Sequence, residues 1–273
     1  MTSPIVSVNI MGGLGNQLFQ IASAYAYARK ERGTLQIICR TATGNRPSYW
    51  TTLLERVVPY HVSSLPSTLT QWREDVATQY KEISPLPLEG LFLNGYFQSS
   101  KYFYNDEMKD EIKQLVRPSP SLLESVSTKY KHLLDHKDRV VVLHARRTDY
   151  LQLAAIHGPL EGAYYKKALQ TIMGLVENPI FLLCGDDMSF WKEIKDDIPA
   201  VYTHEHHSLE NESDINTFAL LQQFNTVIMS NSSFIWWTTW MADAKNVIAP
   251  AKWFGPAGPK FYEDIYESHW IRL

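Results

Sequence analysis

Cysteine is scarce in this 273-residue chain: there are two, Cys39 and Cys184, each inside an apolar stretch. Their number excludes a disulfide scaffold. Both are expected as reduced, buried thiols, because free cysteine is among the most buried residue types. Long hydrophobic runs are also missing. No uninterrupted stretch of about 18 apolar residues occurs, so no transmembrane helix is expected. The opening MTSPIVSVNIMGG has neither a charged n-region nor a long apolar h-region, so no signal peptide is expected either. The chain is expected to be cytoplasmic and soluble, or peripheral at the inner membrane face. Excess positive charge is absent too: 26 Lys and Arg against 29 Asp and Glu give 26 − 29 = −3. That excludes the broad basic footprint of a nucleic-acid binder, so any anionic partner must meet a local cluster of positive charge. No Gly-Lys-Ser/Thr occurs, which excludes a P-loop.

What is present suits a globular α/β protein. Apolar residues make up 45% and charged residues 20%, enough for a real core. The length suggests one large domain or two ordinary ones. IVSVNI (5–10) reads as a buried parallel strand. MGGLG and the helical NQLFQIASAYAYARKERG follow, with Asn16 as cap and Gly33 as terminator. LQIIC (35–39) is a second strand. Residues 41–90 hold several prolines and no sustained period, and are assigned short helices and loops. LFLNGYF (91–97) is a strand, followed by helices around 105–116 and 120–135, the second opened by Ser119-Pro120. Strands at 139–145, 179–184, 226–230 and near 246–250 then alternate with helices, the rhythm of a doubly wound sheet. With the break near 136–138, the reading is two α/β domains, 1–136 and 137–273, facing a central cleft.

Three strand-to-helix turns carry chemistry. In Gly12-Gly13-Leu14-Gly15-Asn16-Gln17, glycines allow close backbone approach and a helix N-terminus offers N–H groups to an anion. It fails as a dinucleotide fingerprint, because Leu18 occupies the third glycine position and Cys39-Arg40 replaces the acid after the second strand. His144-Ala145-Arg146-Arg147-Thr148-Asp149 follows a central strand, where α/β sheets bind ligands. Adjacent arginines there are costly to bury without an anion, and guanidinium forks fit phosphate oxygens. A kinase loop also has His-Arg-Asp, but its other elements are missing. In Ser230-Asn231-Ser232-Ser233, small polar residues open a helix, where they serve either as caps or as phosphate contacts. Trp236 and Trp237 read as core. The sequons at Asn231 and Asn211 read as chance matches. Asp186 and Asp187 follow a strand and suit ribose hydroxyls or a metal, and Asp214 opens a helix, where a plain N-cap is the alternative. His204, His206 and His207 read as a solvated loop rather than a metal site, for want of helical spacing.

Together GGLGNQLFQ (12–20), GYFQSSKYF (95–103), HARRTD (144–149), YYKKA (164–168), GDDMSFW (185–191) and SNSSFIWW (230–237) resemble the α-1,2-fucosyltransferases of glycosyltransferase family 11. The pieces occur in the family's order and leave only about 41–90 unmatched. The resemblance implies a GT-B-like pair of Rossmann-type domains, the first on the acceptor side and the second binding GDP-fucose. It implies inverting transfer of L-fucose from GDP-β-L-fucose to the 2-hydroxyl of a terminal β-galactose, with no metal or other cofactor. Its partners would be GDP-fucose and a β-galactoside glycan. Arg146 and Arg147 look like the diphosphate clamp, and Asp214 like the carboxylate that receives the guanine edge. The implied donor set is Gly13, Gly15, Asn16, Gln17, Asp186, Asp187, Asp214, Asn231, Ser232 and Ser233. Tyr96, Phe97, Gln98 and His157 would border the acceptor, with Asn16 and Gln17 beside them. The general base stays open among Asp149, His144 and His157. Two departures stand out: Thr148 where family members commonly have glycine, and SSFIWWTT in place of a usual SFSWW. A fixed Arg pair would stabilise departing GDP without a cation. The alternatives are a catalytically silent GDP-sugar or glycan binder, or a fucosyltransferase of α-1,6 or protein O-linked type. A nicotinamide oxidoreductase is disfavoured by the failed fingerprint.

Overall fold

The computed structural model describes residues 3–39, 49–103 and 106–273. The chain divides into two compact units, Met1–Ser119 with Phe261–Glu267 and Pro120–Lys260 with Ser268–Leu273.

The first unit contains β1 (Ile5–Asn9), α1 (Leu14–Glu31), β2 (Thr34–Ile38), β3 (Thr70–Arg73), β4 (Leu91–Asn94) and α2 (Asp106–Leu115). Its sheet has the order β2-β1-β4-β3 and is parallel throughout. Val6 and Val8 on one face of the central strand β1 and Ser7 on the other are all fully buried, as a strand covered on both faces requires. Helix α1 buries most of its length, and its end is closed by Arg32 in the left-handed region with Gly33 N–H donating to Ala28 O (2.8 Å). Three expectations are corrected here. The N-cap of α1 is Gly13, so Asn16 lies inside the helix and its side chain is released for other work. Strand β3 lies in the stretch read as short helices and loops; its single buried side chain, Trp72, is too weak a period to detect. Cys39 is exposed, because β2 ends at Ile38 and the chain leaves the sheet there.

The second unit begins with α3 (Pro120–Lys129) and α4 (Lys131–Leu134). It continues through β5 (Val140–Ala145), α5 (Thr148–Gln152), α6 (Ala154–His157), α7 (Gly162–Ile172), β6 (Ile180–Gly185), α8 (Ser189–Glu193), α9 (Pro199–Thr203) and β7 (His206–Ser208). It closes with α10 (Asp214–Leu221), β8 (Thr226–Ile228), α11 (Ser233–Met241), β9 (Asn246–Ala249) and β10 (Ile271–Arg272). The sheet runs β10-β9-β8-β5-β6-β7, all parallel. The chain therefore winds outward from β5 through β6 to β7, then returns to the other flank of β5 and winds outward again. That reversal, between β5 and β8, is the topological switch point of a doubly wound sheet, where ligands bind at the strands' carboxyl ends. Every residue of β5 is buried, and its core face packs with Tyr165, Ile172, Phe181, Phe190 and Trp191. Full burial of each such side chain contributes about 1.5–3 kcal/mol.

The division falls at Ser119/Pro120, ahead of the 136/137 boundary read from sequence. The cause is α3: Lys129 and Tyr130 at its end both bind Glu212, just before α10, tying this helix to the second unit. The histidine cluster expected as a loop includes a short edge strand, β7, paired with β6.

Candidate active site

In the second unit, pairing of β5 with β8 sets the loop after Ala145 beside the loop after Ile228. Two bonds tie the loop after Ile228 to β5 and α5: His144 Nδ1 to Ser230 Oγ (2.9 Å), and the Tyr150 hydroxyl donating to the Asn231 carbonyl (3.0 Å). On the other side of β5, Gly185 ends β6 at φ 152°, and a Cβ there would stand 2.4 Å from the Ala145 carbonyl oxygen. Glycine thus lets the end of β6 close onto β5, which delivers Asp186 under the arginine loop.

Asp186 is filled by that loop. Its Oδ1 accepts the Arg147 N–H (2.7 Å), and its Oδ2 accepts the Thr148 N–H (3.2 Å) and the Thr148 hydroxyl, with Arg146 Nη1 at 3.2 Å. A carboxylate at the start of α5 is also favoured by the unmet N–H groups there. Thr148 has a part in this: its hydroxyl is a further tether on Asp186.

Arg146 pairs with Asp149 (2.7 Å) and lies 5.7 Å from the Tyr150 ring centroid. Burial alone would lower its pKa, but the hydrogen bond to Asp149 and the Asp186 charge outweigh it and leave the pKa raised. Arg147 is buried, 8% exposed, with its guanidinium 4.3 Å from the Phe190 ring centroid. Its Nη1 reaches the Leu160 carbonyl (2.8 Å) and Glu161 (3.2 Å). Its Nε is buried and has no acceptor. An unmet buried donor on a cation is expensive.

His144 is 5% exposed, and burial pushes its pKa down to about 4, against the opposing pull of Asp186. It is therefore neutral near pH 7 and engaged with Ser230. His157 is half-buried, stacked on Tyr150 at 4.3 Å, and burial lowers its pKa while Asp149 opposes the shift. Asn231, 2% exposed, donates its side-chain amide to the carbonyls of His157, Gly158 and Trp253. It ties loops together. Ser232 caps α11 by accepting the Phe234 N–H (3.3 Å), and Ser233 occupies the first position of that helix. Asp187 accepts the Ser189 N–H and hydroxyl at the start of α8. Asp214 is exposed at the first position of α10, whose N-cap is Ser213. Trp236 and Trp237 are fully buried core.

The first unit assembles its own group. Gly12 turns at φ 79°, and Gln17 donates to its carbonyl (3.0 Å). Gln98 donates to Asn16 Oδ1 (2.7 Å), and Gln20 bridges the Met11 N–H and the Gly95 carbonyl, both at 2.9 Å. Gly13 caps α1 and Gly15 lies in its first turn. Tyr96 and Gln98 are half-buried, whereas Phe97 is fully buried against Trp72 and Tyr102, so its part is to hold the turn.

Reading the sequence missed Glu74, Tyr150, Glu161 and Glu212. It also missed the loop at Phe254–Gly258, whose Gly255 and Ala257 N–H groups donate to Ile156 and Ala155 of α6. The FGPAG glycines were the available signal: a Cβ on Gly255 would stand 2.5 Å from the Ala155 carbonyl oxygen. Among the described residues no cluster of three or more His, Cys, Asp or Glu is placed to hold a metal, and no helix is long and apolar enough to cross a membrane.

The sequence profile described as Glycosyl transferase family 11 matches residues 65–273. An alpha-1,2-colitosyltransferase of Escherichia coli is 24% identical over 98% of this chain and 99% of its own. A galactoside 2-alpha-L-fucosyltransferase of Caenorhabditis elegans is 22% identical over 96% of this chain and 74% of its own. Among solved structures, the fucosyltransferase NodZ from Bradyrhizobium aligns with a TM-score of 0.57 at 14% identity, covering 89% of this chain and 92% of that one. NodZ has also been solved as an alpha-1,6-fucosyltransferase soaked with GDP-fucose. The GT-B-like class expected from the sequence is thus the fold of this chain.

Proposed function

The chain belongs to glycosyl transferase family 11, and from that premise we propose that it moves L-fucose from GDP-β-L-fucose to the 2-hydroxyl of a terminal β-galactose, with inversion and without a metal. The observation that carries this is the arginine pair at the switch point, Arg146 with a side chain 26% exposed and Arg147 fixed beside it. In this reading the second unit holds GDP-fucose and the first carries the acceptor side. Arg146, Arg147, Ser232 and Ser233 meet the diphosphate, and Asp214 receives the guanine edge. Asp186 and Asn231 act by holding the two loops. Within the second unit Asp187 and His157 border the sugar portion, and within the first Gly13, Gly15, Asn16, Gln17, Tyr96 and Gln98 form the group assigned to the sugars.

The acids beside the arginines give the chemistry an order. Diphosphate oxygens compete with Asp149 for Arg146 and with Glu161 for Arg147, so donor binding weakens the Arg146–Asp149 pair. The galactose oxygen then bonds to fucose C1 as the C1–phosphate oxygen bond breaks, the hydroxyl proton passes to Asp149, and GDP leaves with its charge on the arginines. His144, buried and neutral, holds Ser230 rather than the proton. Fixed positive charge of this kind is worth about 2.7–4 kcal/mol per donor.

Arg147→Ala tests the clamp. Its kcat/KM should fall by at least about 10²–10³ with the circular dichroism spectrum unchanged. Near-normal turnover would overturn the reading. The name of the E. coli relative favours a second transferred sugar, a colitosyl group, and parallel assays with nucleotide-activated fucose and colitose rank the two.

A further inference from the structure

Glu74 follows β3 in the segment from which the sequence offered no site. It is 8% exposed, and its carboxylate collects successive backbone donors: the Tyr96 N–H on Oε2 at 2.7 Å, and the Phe97 N–H at 3.0 Å from Oε2 and 3.1 Å from Oε1. Two neighbouring N–H groups aimed at one point form a nest for an anion, and here the anion belongs to the protein. The turn around it is built for this contact. Phe97 lies at φ 55°, in the left-handed region that a bulky aromatic residue avoids. A Cβ on Gly95 would stand 2.6 Å from Glu74 Oε2, so only glycine admits the carboxylate. The same turn is stitched to the glycine turn of α1 by Gln98 on Asn16 and by Gln20 on Gly95.

We propose that Glu74 is a positioning residue for transfer: its carboxylate holds the Tyr96–Gln98 turn in its left-handed form and so fixes Gln98 against Asn16. This rests on the reading that the turn faces the acceptor. Glu74 touches no reacting atom; it acts through the turn. Burial raises its pKa to about 7, against the two backbone donors and the Tyr102 hydroxyl, which favour the charge. Tyr102 is the titratable side chain bonded to it, from the short helical turn Ser100–Tyr102, and its hydroxyl accepts the Lys81 N–H (3.1 Å). Along its own segment stand Arg73, Asp75 and Lys81, the last two paired at 2.5 Å. With Glu74 still buried, protonation takes acceptor capacity from the two N–H groups, so below neutrality the turn should loosen locally even as the fold as a whole, no longer burying a charge, gains stability.

The test uses the full chain, lactose as acceptor and GDP alone as donor-site probe. Wild type should gain kcat/KM for lactose as pH rises through about 7. Glu74→Gln should lose that limb and raise the lactose KM about tenfold while leaving GDP affinity unchanged. In wild type the Tyr96 and Phe97 amide protons should titrate together near the same pH by NMR, independently of any activity. An unchanged lactose KM and pH limb in a folded Glu74→Gln protein would overturn the proposal. So would amides that do not titrate together, including where the variant fails to fold. If wild type transfers nothing, the functional reading falls, and the amide titration alone decides whether Glu74 holds the turn.

Discussion

Replacing Asp186 by Asn keeps its size and removes its charge, which separates an anchor from a ligand contact. The structure gives Asp186 four donors from three consecutive residues, Arg146, Arg147 and Thr148. An Asn offers one oxygen, and its amide would point N–H at N–H on the other side. Hydrogen bonds to a charged group are worth about 1.5–3 kcal/mol each. With the Asp186 side chain 19% exposed, water recovers part of the loss, leaving about 2–4 kcal/mol. For a protein of this size that is a fall of about 5–10 °C in melting temperature. The untethered arginine loop should cost at least one diphosphate donor, about 10²–10³ in kcat/KM. Calorimetry and initial rates with GDP-fucose measure both. An unchanged melting temperature with weakened GDP binding would refute the anchor and make Asp186 a direct donor contact.

Other outcomes follow from the same geometry. Gly185→Ala forces a Cβ to within 2.4 Å of the Ala145 oxygen, so it should destabilise by about 1–3 kcal/mol and lower activity; a wild-type melting curve would contradict this. The two units should respond oppositely to pH. Glu74 has a folded pKa of about 7, above the ordinary 4.5, so the folded state holds the proton longer and the first unit loses stability as pH rises across that window, by at most about 3 kcal/mol. His144 has a folded pKa of about 4, below 6.5, so the second unit loses stability as pH falls from 6.5 toward 4. Denaturant titrations across pH 4–8 should show Glu74→Gln removing the first slope and His144→Asn the second. A thiol reagent should label Cys39 in the native protein and Cys184, buried and pushed up in pKa, only after unfolding; two fast thiols would contradict the fold around β6.

The second unit was the more legible part. Val140–Leu143 and Ile180–Leu183 are uninterrupted buried strands, and a run of that kind between turn residues reads directly as parallel sheet. The arginine loop was visible because adjacent guanidinium groups after such a strand need acidic partners, here Asp149, Asp186 and Glu161. The roles of Asp186 and Asn231 were not visible: whether an Asp or Asn faces a ligand or a backbone depends on which loops meet, and that is set by strands far apart in sequence. The first unit hid more. Strand β3 buries only Trp72, so it carries no alternation, and Glu74 looks like any surface acid until the turn after β4 folds over it. Asn16 resembled an N-cap, but the helix starts earlier because Gly13 takes the extended cap conformation and leaves Asn16 for Gln98.

The most direct test is the product. Wild-type protein, isotope-labelled GDP-fucose, lactose and EDTA are combined, and the linkage is read by NMR. The account predicts α-fucose on galactose O2, formed in the presence of EDTA and lost in Arg147→Ala. Label on another hydroxyl, dependence on a divalent cation, or no transfer by a folded protein that binds GDP would contradict it.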